Sequence, residues 1–278
     1  MNEQIKTTVQ LKTPEPDTVH LWLLGLTETG AENSAAFRAP PSTEQLHILD
    51  GDEVQRAARF ANREAQQRYR LTRILLRNVL SSYCPDINPA AWRFDRNAHG
   101  KPFIASPALS LPLYFNLSHC ESAVVVATSG RPGLGVDLEK ITPRGNALAV
   151  ARRYFSAREY ALLSNLTAAG LPTAFFSLWT LKEAFSKACG GALVPALKKL
   201  SLDLPGAHDI VVTPGCDEGI DVSAWRFWLF GDAEYRLALA LQGVTGRQPV
   251  SLEVMELDNP ARPDTRRPGN IPLLRQSR

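Results

Sequence analysis

The clearest helical pattern in the chain lies in Phe176–Lys187, where Leu178, Leu181, Phe185 and Ala188 recur at i, i+3, i+7 and i+10 and form one apolar face. Trp179, Glu183 and Lys187 follow one another at i, i+4 and i+8, which stacks them on a second stripe roughly opposite the first. By itself this predicts an amphipathic surface helix with a helix-supporting Glu–Lys pair and a tryptophan on its outer side, ending at Gly190-Gly191. A second long helix is predicted over 64–83, its core side made by Leu71, Leu75, Leu76, Val79 and Leu80. Shorter helices are expected near 52–60 with Asp52 as cap, near 146–153, and over 157–166 with Ser156 as cap. Strand patterns occur at Val19–Leu26, Trp92–Asp95, Tyr114–Leu117 and Ala123–Thr128, the last two flanking a Ser118-His119 turn. Further strands are expected at Gly135–Glu139, 200–204, 209–213, 224–230, 235–242 and 250–257.

Ser129-Gly130-Arg131-Pro132-Gly133 is the sharpest internal break. It divides the chain into a polar leader (1–17), an N-terminal half (18–133), a C-terminal half (134–258) and a basic Pro-rich tail (259–278) expected to be disordered. Each half sets helices beside strands, so the fold class is α+β, with a hint of a duplicated unit.

Composition narrows the function less than the pattern does. The 278 residues are 44% hydrophobic and 21% charged, values of a globular protein. A formal charge of +3 is too mild to argue for nucleic acid. Cys84, Cys120, Cys189 and Cys216 are widely spaced without a zinc pattern, and are read as reduced thiols. No apolar run is long enough to span a bilayer and the leader lacks the core of a signal peptide, so the expectation is a cytoplasmic protein without membrane contact.

Candidate chemistry sits in a few places. In Gly135-Val136-Asp137-Leu138-Glu139 the alternation of a strand sends Val136 and Leu138 one way and Asp137 and Glu139 the other. Two carboxylates side by side raise each other's pKa, a cost that a divalent cation would relieve; an edge strand with solvated acids is the alternative. Arg56, Arg59, Arg63, Arg68, Arg70, Arg73 and Arg77 crowd the helices near 52–83 and read either as a solvated face or, for a subset, as a phosphate site. Asn97-Ala98-His99-Gly100-Lys101-Pro102 is a turn that presents a lysine.

The strand Gly135–Glu139, followed about forty residues later by Trp179-Thr180-Leu181-Lys182-Glu183-Ala184-Phe185-Ser186-Lys187, resembles the signature pair of 4′-phosphopantetheinyl transferases. The Asn116–His119 and Gly100-Lys101-Pro102 turns are similar to the larger surfactin-synthetase-activator type, over roughly residues 19–257. The resemblance implies two pseudo-symmetric halves with the active site at their interface. It also implies a monomer of the holo-carrier-protein synthase type that moves the phosphopantetheinyl arm of coenzyme A to a serine of an apo acyl or peptidyl carrier protein. Mg²⁺, with Mn²⁺ as substitute, would be held by Asp137, Glu139 and Glu183. Glu183 or a metal-bound water would take the serine proton, and Lys187 would meet the departing phosphate; Lys182 is read as a solvated neighbour. Ser118 and His119 would hold the 3′-phosphate of coenzyme A, with Lys101, Arg56 and Arg68 on that phosphate or the nucleotide. One departure is Glu53, where family members often carry a lysine. Two rival readings keep other functions open, a coenzyme A-binding homologue without transfer and a nucleic-acid binder using the arginine helices and tail.

Overall fold

A computed structural model describes residues 12–25, 40–121, 123–143, 145–190, 197–198, 200–215, 220–244, 249–269 and 271–277. Residues 1–11 of the expected leader, Gly191 and Cys216 lie outside them.

The first half runs β1 (Thr18–Leu24), α1 (Thr43–Leu46), α2 (Gly51–Ala58), α3 (Arg63–Tyr83), a hairpin of β2 (Arg93–Arg96) and β3 (Pro102–Ser106), then β4 (Tyr114–His119) and β5 (Val124–Ser129). The second runs β6 (Leu134–Lys140), α4 (Ala147–Tyr154), α5 (Ala157–Ser164), α6 (Leu171–Cys189), β7 (Leu200–Asp203), β8 (Asp209–Pro214), β9 (Trp225–Gly231), β10 (Tyr235–Gln242) and β11 (Ser251–Leu257). Two short strands, β12 (Arg267–Pro268) and β13 (Leu273–Ser277), end the described chain.

One sheet has the order β12-β11-β1-β5-β4 and the other β6-β10-β9-β13-β8-β7. They pack face to face, because successive side chains of each strand serve different layers. Val125 and Ala127 of β5 meet Val136 and Leu138 of β6 and Leu237 and Leu239 of β10 between the sheets. Val124 and Val126 turn outward to Leu75, Leu76, Val79 and Leu80 of α3. On the far side, Ala238 and Ala240 of β10 lie under Leu181, Ala184 and Phe185 of α6. The layers are therefore α3, sheet, sheet, α6, with one long helix per half, as expected for two similar halves.

The chain does not divide between the sheets at residue 133. β11, on the C-terminal side of the break, pairs in parallel with β1 from Thr18↔Ser251 to Leu24↔Leu257 and so completes the first sheet. The tail differs from the disorder its composition suggests. β12 pairs with Met255 and Glu256, and β13 fills the gap between β9 and β8. Main-chain ladder bonds hold these strands, and a count of prolines and charges does not register such bonds. Among the described residues no helix is long and apolar enough to cross a membrane.

Several polar groups read as solvated are interior. Asp50, not Asp52, caps α2, and Glu53 closes its capping box. The buried Glu53 carboxylate then accepts from Arg73 Nε and from Arg77 Nε at 2.9 Å, while Arg77 Nη2 reaches Asp50 at 2.7 Å. Glu53 thus replaces the family's lysine with a group that ties α2 to α3. Lys182 is wholly buried, its Nζ 3.0 Å from Glu159 Oε1 and donating to the carbonyls of Leu197 (2.6 Å) and Leu200 (3.0 Å). It locks α6 to α5 and β7 and has no path to solvent.

The contact that sets the geometry of the molecule is at Gly135. A Cβ there would lie 2.0 Å from the carbonyl oxygen of Ala184 and 2.4 Å from the amide nitrogen of Ala188, so β6 and α6 touch backbone to backbone. Fixed main chain cannot give way as a side-chain tip can. Gly135→Ala should lower the urea unfolding midpoint by an amount worth about 3 kcal/mol, with an unchanged m-value. An unaltered midpoint would show that the close approach is not structural.

Candidate active site

β4 and β6 are the edge strands of their sheets, and they meet. Asn116 Oδ1 of β4 accepts the amide of Val136 at 2.8 Å, and Ser118 Oγ donates to Asp137 Oδ1 at 2.9 Å. Ser118 and His119 belong to β4 itself, not to a turn, which is how the serine reaches across the seam.

Asp137 and Glu139 leave β6 on the face covered by α6. That helix is buried nearly all round, and Trp179, Glu183 and Lys187 form the partly open stripe in its second half. The tryptophan is not a surface residue. It stacks on Phe175 at 5.9 Å between ring centroids, and its Nε1 donates to Glu139 Oε1 at 3.1 Å. Lys187 Nζ donates to Asp137 Oδ1 at 2.7 Å and to Ser118 Oγ at 2.9 Å. The hydroxyl expected to bind phosphate is therefore engaged inside the carboxylate cluster.

The site's charge balance shows where it is incomplete. Burial raises the Glu183 pKa to about 7; the negative fields of Asp137 and Glu139 add to the rise and Lys187 opposes it. Asp137 Oδ2 is buried without a hydrogen-bond partner. Such an oxygen is costly unless something positive meets it. Among the described residues no three of His, Cys, Asp and Glu stand close enough to form a ready-made metal cage. Asp137 Oδ1 is turned to Lys187 and Glu139 Oε1 to Trp179. The donor set, all carboxylate oxygen with one buried oxygen unclaimed, suits a hard cation that keeps coordination positions for phosphate oxygens.

A cleft of about 290 Å³ opens beside this cluster, lined by Glu183, Ser186 and Lys187 of α6, Asn116 and Leu117 of β4, and the turn His99–Pro102. The turn is docked on the end of α6: Asn97 Nδ2 donates to Gly190 O at 2.8 Å, and Gly190 takes the left-handed conformation (φ 62°) that closes the helix. Lys101 Nζ donates to Leu134 O (3.0 Å) and Ala188 O (3.3 Å), neutralising carbonyls at the start of β6 and the end of α6. Its ammonium is a clasp as well as a wall of the cleft, and burial lowers its pKa to about 8.

The expected phosphate ligands separate into two groups. His119 sits at the surface end of β4, where crowding by protein, then the positive fields of Arg68 and Lys187, lowers its pKa. Arg68 donates to Glu121 O at 3.3 Å, beside that histidine. Arg56 instead lies exposed on α2 with its guanidinium 6.0 Å from the Tyr69 ring, in a cationic patch with Arg73 and Arg96. The structure brings Asp137, Glu139, Glu183, Lys187, Ser118, His119, Arg68 and Lys101 around one seam, while Arg56 neighbours Tyr69 and Arg96, the latter donating to Gly100 O at 2.8 Å. Sequence reasoning missed the roles of Asn97, Asn116 and Trp179, whose partners are distant in the chain.

Known proteins resemble this chain in sequence. A model described as the 4′-phosphopantetheinyl transferase superfamily matches residues 133–240, and one described as 4′-phosphopantetheinyl transferase, N-terminal, matches 40–131. The 4′-phosphopantetheinyl transferase HetI of Nostoc sp. is 34% identical over 179 residues, 64% of this chain and 70% of that protein. The chain belongs to the 4′-phosphopantetheinyl transferase superfamily. Other transferases of that name are similar, among them gsp of Aneurinibacillus migulanus (26% identical, 75% of this chain and 83% of the relative) and Sfp of Bacillus subtilis (29%, 59% and 74%). The match over 40–131 contains β4 and the 97–102 turn, and the match over 133–240 contains β6 and α6.

The Lys101 clasp has a measurable signature. Its proton leaves the folded protein near pH 8 and the unfolded chain near 10.5. Between those values the unfolded state binds more protons, so Lys101 makes stability rise with pH. The stability difference between wild type and Lys101→Met should climb over that window; a flat difference would contradict the buried ammonium.

Proposed function

We propose that the cleft transfers the 4′-phosphopantetheinyl group from coenzyme A to a serine hydroxyl of an apo carrier protein, releasing adenosine 3′,5′-bisphosphate. The observation that carries this reading is the buried, unpartnered Asp137 Oδ2 beside a Glu183 whose pKa is pushed to about 7 and which lines the cleft.

A serine must attack a phosphorus surrounded by negative oxygens, so catalysis requires neutralised charge and a positioned nucleophile. Mg²⁺, or Mn²⁺ in its place, would be held by Asp137, Glu139 and Glu183 and would neutralise the diphosphate oxygens. Trp179 keeps Glu139 oriented by its indole hydrogen bond. Glu183, or a water held by the cation, would take the serine proton. Lys187, already anchored to Asp137, presents its ammonium to the leaving phosphate. His119 and Arg68 are the donors placed for the 3′-phosphate, and Lys101 adds positive potential to the wall. The reading implies a monomeric cytoplasmic enzyme whose macromolecular partner is an acyl, peptidyl or aryl carrier.

The alternative, a homologue that binds coenzyme A without transfer, leaves a carboxylate cluster with no task. Incubation with coenzyme A, Mg²⁺ and apo carriers separates the two by mass spectrometry. The carrier should gain one phosphopantetheinyl arm, and Asp137→Asn or Glu183→Gln should slow the gain on the order of 10²-fold or more with folding intact. The isosteric amides are the suitable variants because Asp137 is buried. Unchanged mass across acyl, peptidyl and aryl carriers would overturn transfer; near-normal rates in either variant would overturn the roles assigned.

A further inference from the structure

A second cavity, of about 650 Å³, opens on another flank of α6 and is lined by Ala174, Ser177 and Leu178 of that helix. Ala174 precedes Glu183 by two and a half helical turns, so it points to the side opposite the carboxylate cluster. The volume is within the range of about 300–1,000 Å³ usual for small-molecule sites. Leu163, Leu178 and Leu229 make a buried floor, while Leu162, Leu166 and Leu273 stand on the rim at 42–46% exposure.

This apolar channel contains a buried charge that makes no salt bridge among the described residues. Arg236 of β10 is only 6% exposed. Its Nε donates to Ser177 Oγ at 3.0 Å, and its Nη1 to the carbonyls of Asp232 (2.5 Å) and Tyr235 (2.7 Å). All three acceptors are neutral, and among the described residues no carboxylate forms an ion pair with Arg236. Asp232 acts on it at longer range, and a second cation, Arg275, opposes it. Arg275 also lines the cavity, with Nη1 on the carbonyls of Pro205 (3.4 Å) and Asp209 (3.2 Å). The lining carboxylate, Asp203, is taken by Arg158 at 2.5 Å. Burying a guanidinium without a salt bridge is costly, and Arg236, with the half-buried Arg275 (itself partly offset by Asp209) beside it on a leucine-walled space, leaves a place for one anion with an apolar body.

We propose that this cavity binds a straight-chain carboxylate of medium length, a fatty acid, with its head on Arg236 and Arg275 and its tail along the leucines. A diphosphate would waste the apolar walls. The apolar face of a partner's helix would leave the guanidinium unmatched.

Calorimetric titration of the full chain with decanoate tests this directly. The expected result is saturable one-to-one binding, strengthening by about fourfold per added CH₂ from hexanoate to decanoate. Decanol, which lacks the charge, should bind at least about tenfold more weakly. Arg275→Gln and Leu166→Glu, both away from the transfer machinery, should each weaken decanoate by about tenfold and leave transfer unchanged. Saturation with coenzyme A should not displace it. The proposal is overturned by decanol binding as tightly as decanoate, by displacement with coenzyme A, or by normal binding to Leu166→Glu. It is equally overturned if decanoate fails to bind while Leu166→Glu weakens an apo carrier protein, which would make the groove a protein-docking surface.

Discussion

Contact between the backbone of β6 and that of α6 at Gly135 is the constraint on which the rest of the molecule depends. With any side chain at that position the helix must move away from the strand. At the observed approach Ala184 and Ala188 lie against Gly135, and the residues that immediately precede them, Glu183 and Lys187, come beside the acids of β6. Glu183 and Lys187 therefore face Asp137 and Glu139 as a consequence of main-chain packing, before any attraction between side chains is considered. The clasp of Asn97 and Lys101 on the ends of the same two elements, and the buried Lys182–Glu159 pair on the far side of the helix, hold that approach from both flanks.

The seam so formed gathers more negative charge than its own cations offset. Lys187 answers one oxygen of Asp137 and Trp179 one oxygen of Glu139, each a hydrogen bond that also fixes the side chain's direction. Asp137 Oδ2 and the raised Glu183 are what remains unanswered. Leaving such groups in the interior lowers stability, and folded proteins keep arrangements of this kind chiefly at functional sites. The His119–Arg68 corner, its charge carried by Arg68 of α3, lies across the seam from the acids of β6.

Periodicity made the helix stripe legible: the i, i+4, i+8 spacing of Trp179, Glu183 and Lys187 placed them on one line, and strand alternation separated Asp137 and Glu139 from Val136 and Leu138. What that spacing could not reveal is the environment of each line. α6 is buried on nearly every side, so the stripe is a slot in the interior and not a solvated face. Lys182 was misread because its partner Glu159 lies on another helix, and Arg73 and Arg77, read as a solvated face or a phosphate site, because their partner Glu53 lies on α2. The tail was misread for a related reason, since its order comes from ladder bonds to β9 and β11. The acids and Lys187 named by the resemblance fall on β6 and α6, which meet at the seam, while Arg56, matched across a region without a sharp motif, has its contacts at Tyr69 and Arg96. Local pattern reports elements and faces; distant pairing decides which polar groups are interior.

The central claim is that Asp137 and Glu183, brought together by β6 and α6, share one divalent cation. Electron paramagnetic resonance of Mn²⁺ titrated into the protein with coenzyme A, and without any carrier, tests it most directly. The account predicts one bound Mn²⁺ per wild-type chain and its loss, or weakening by about tenfold or more, in both Asp137→Asn and Glu183→Gln. Binding of Mn²⁺ that is the same in wild type and both variants would contradict it.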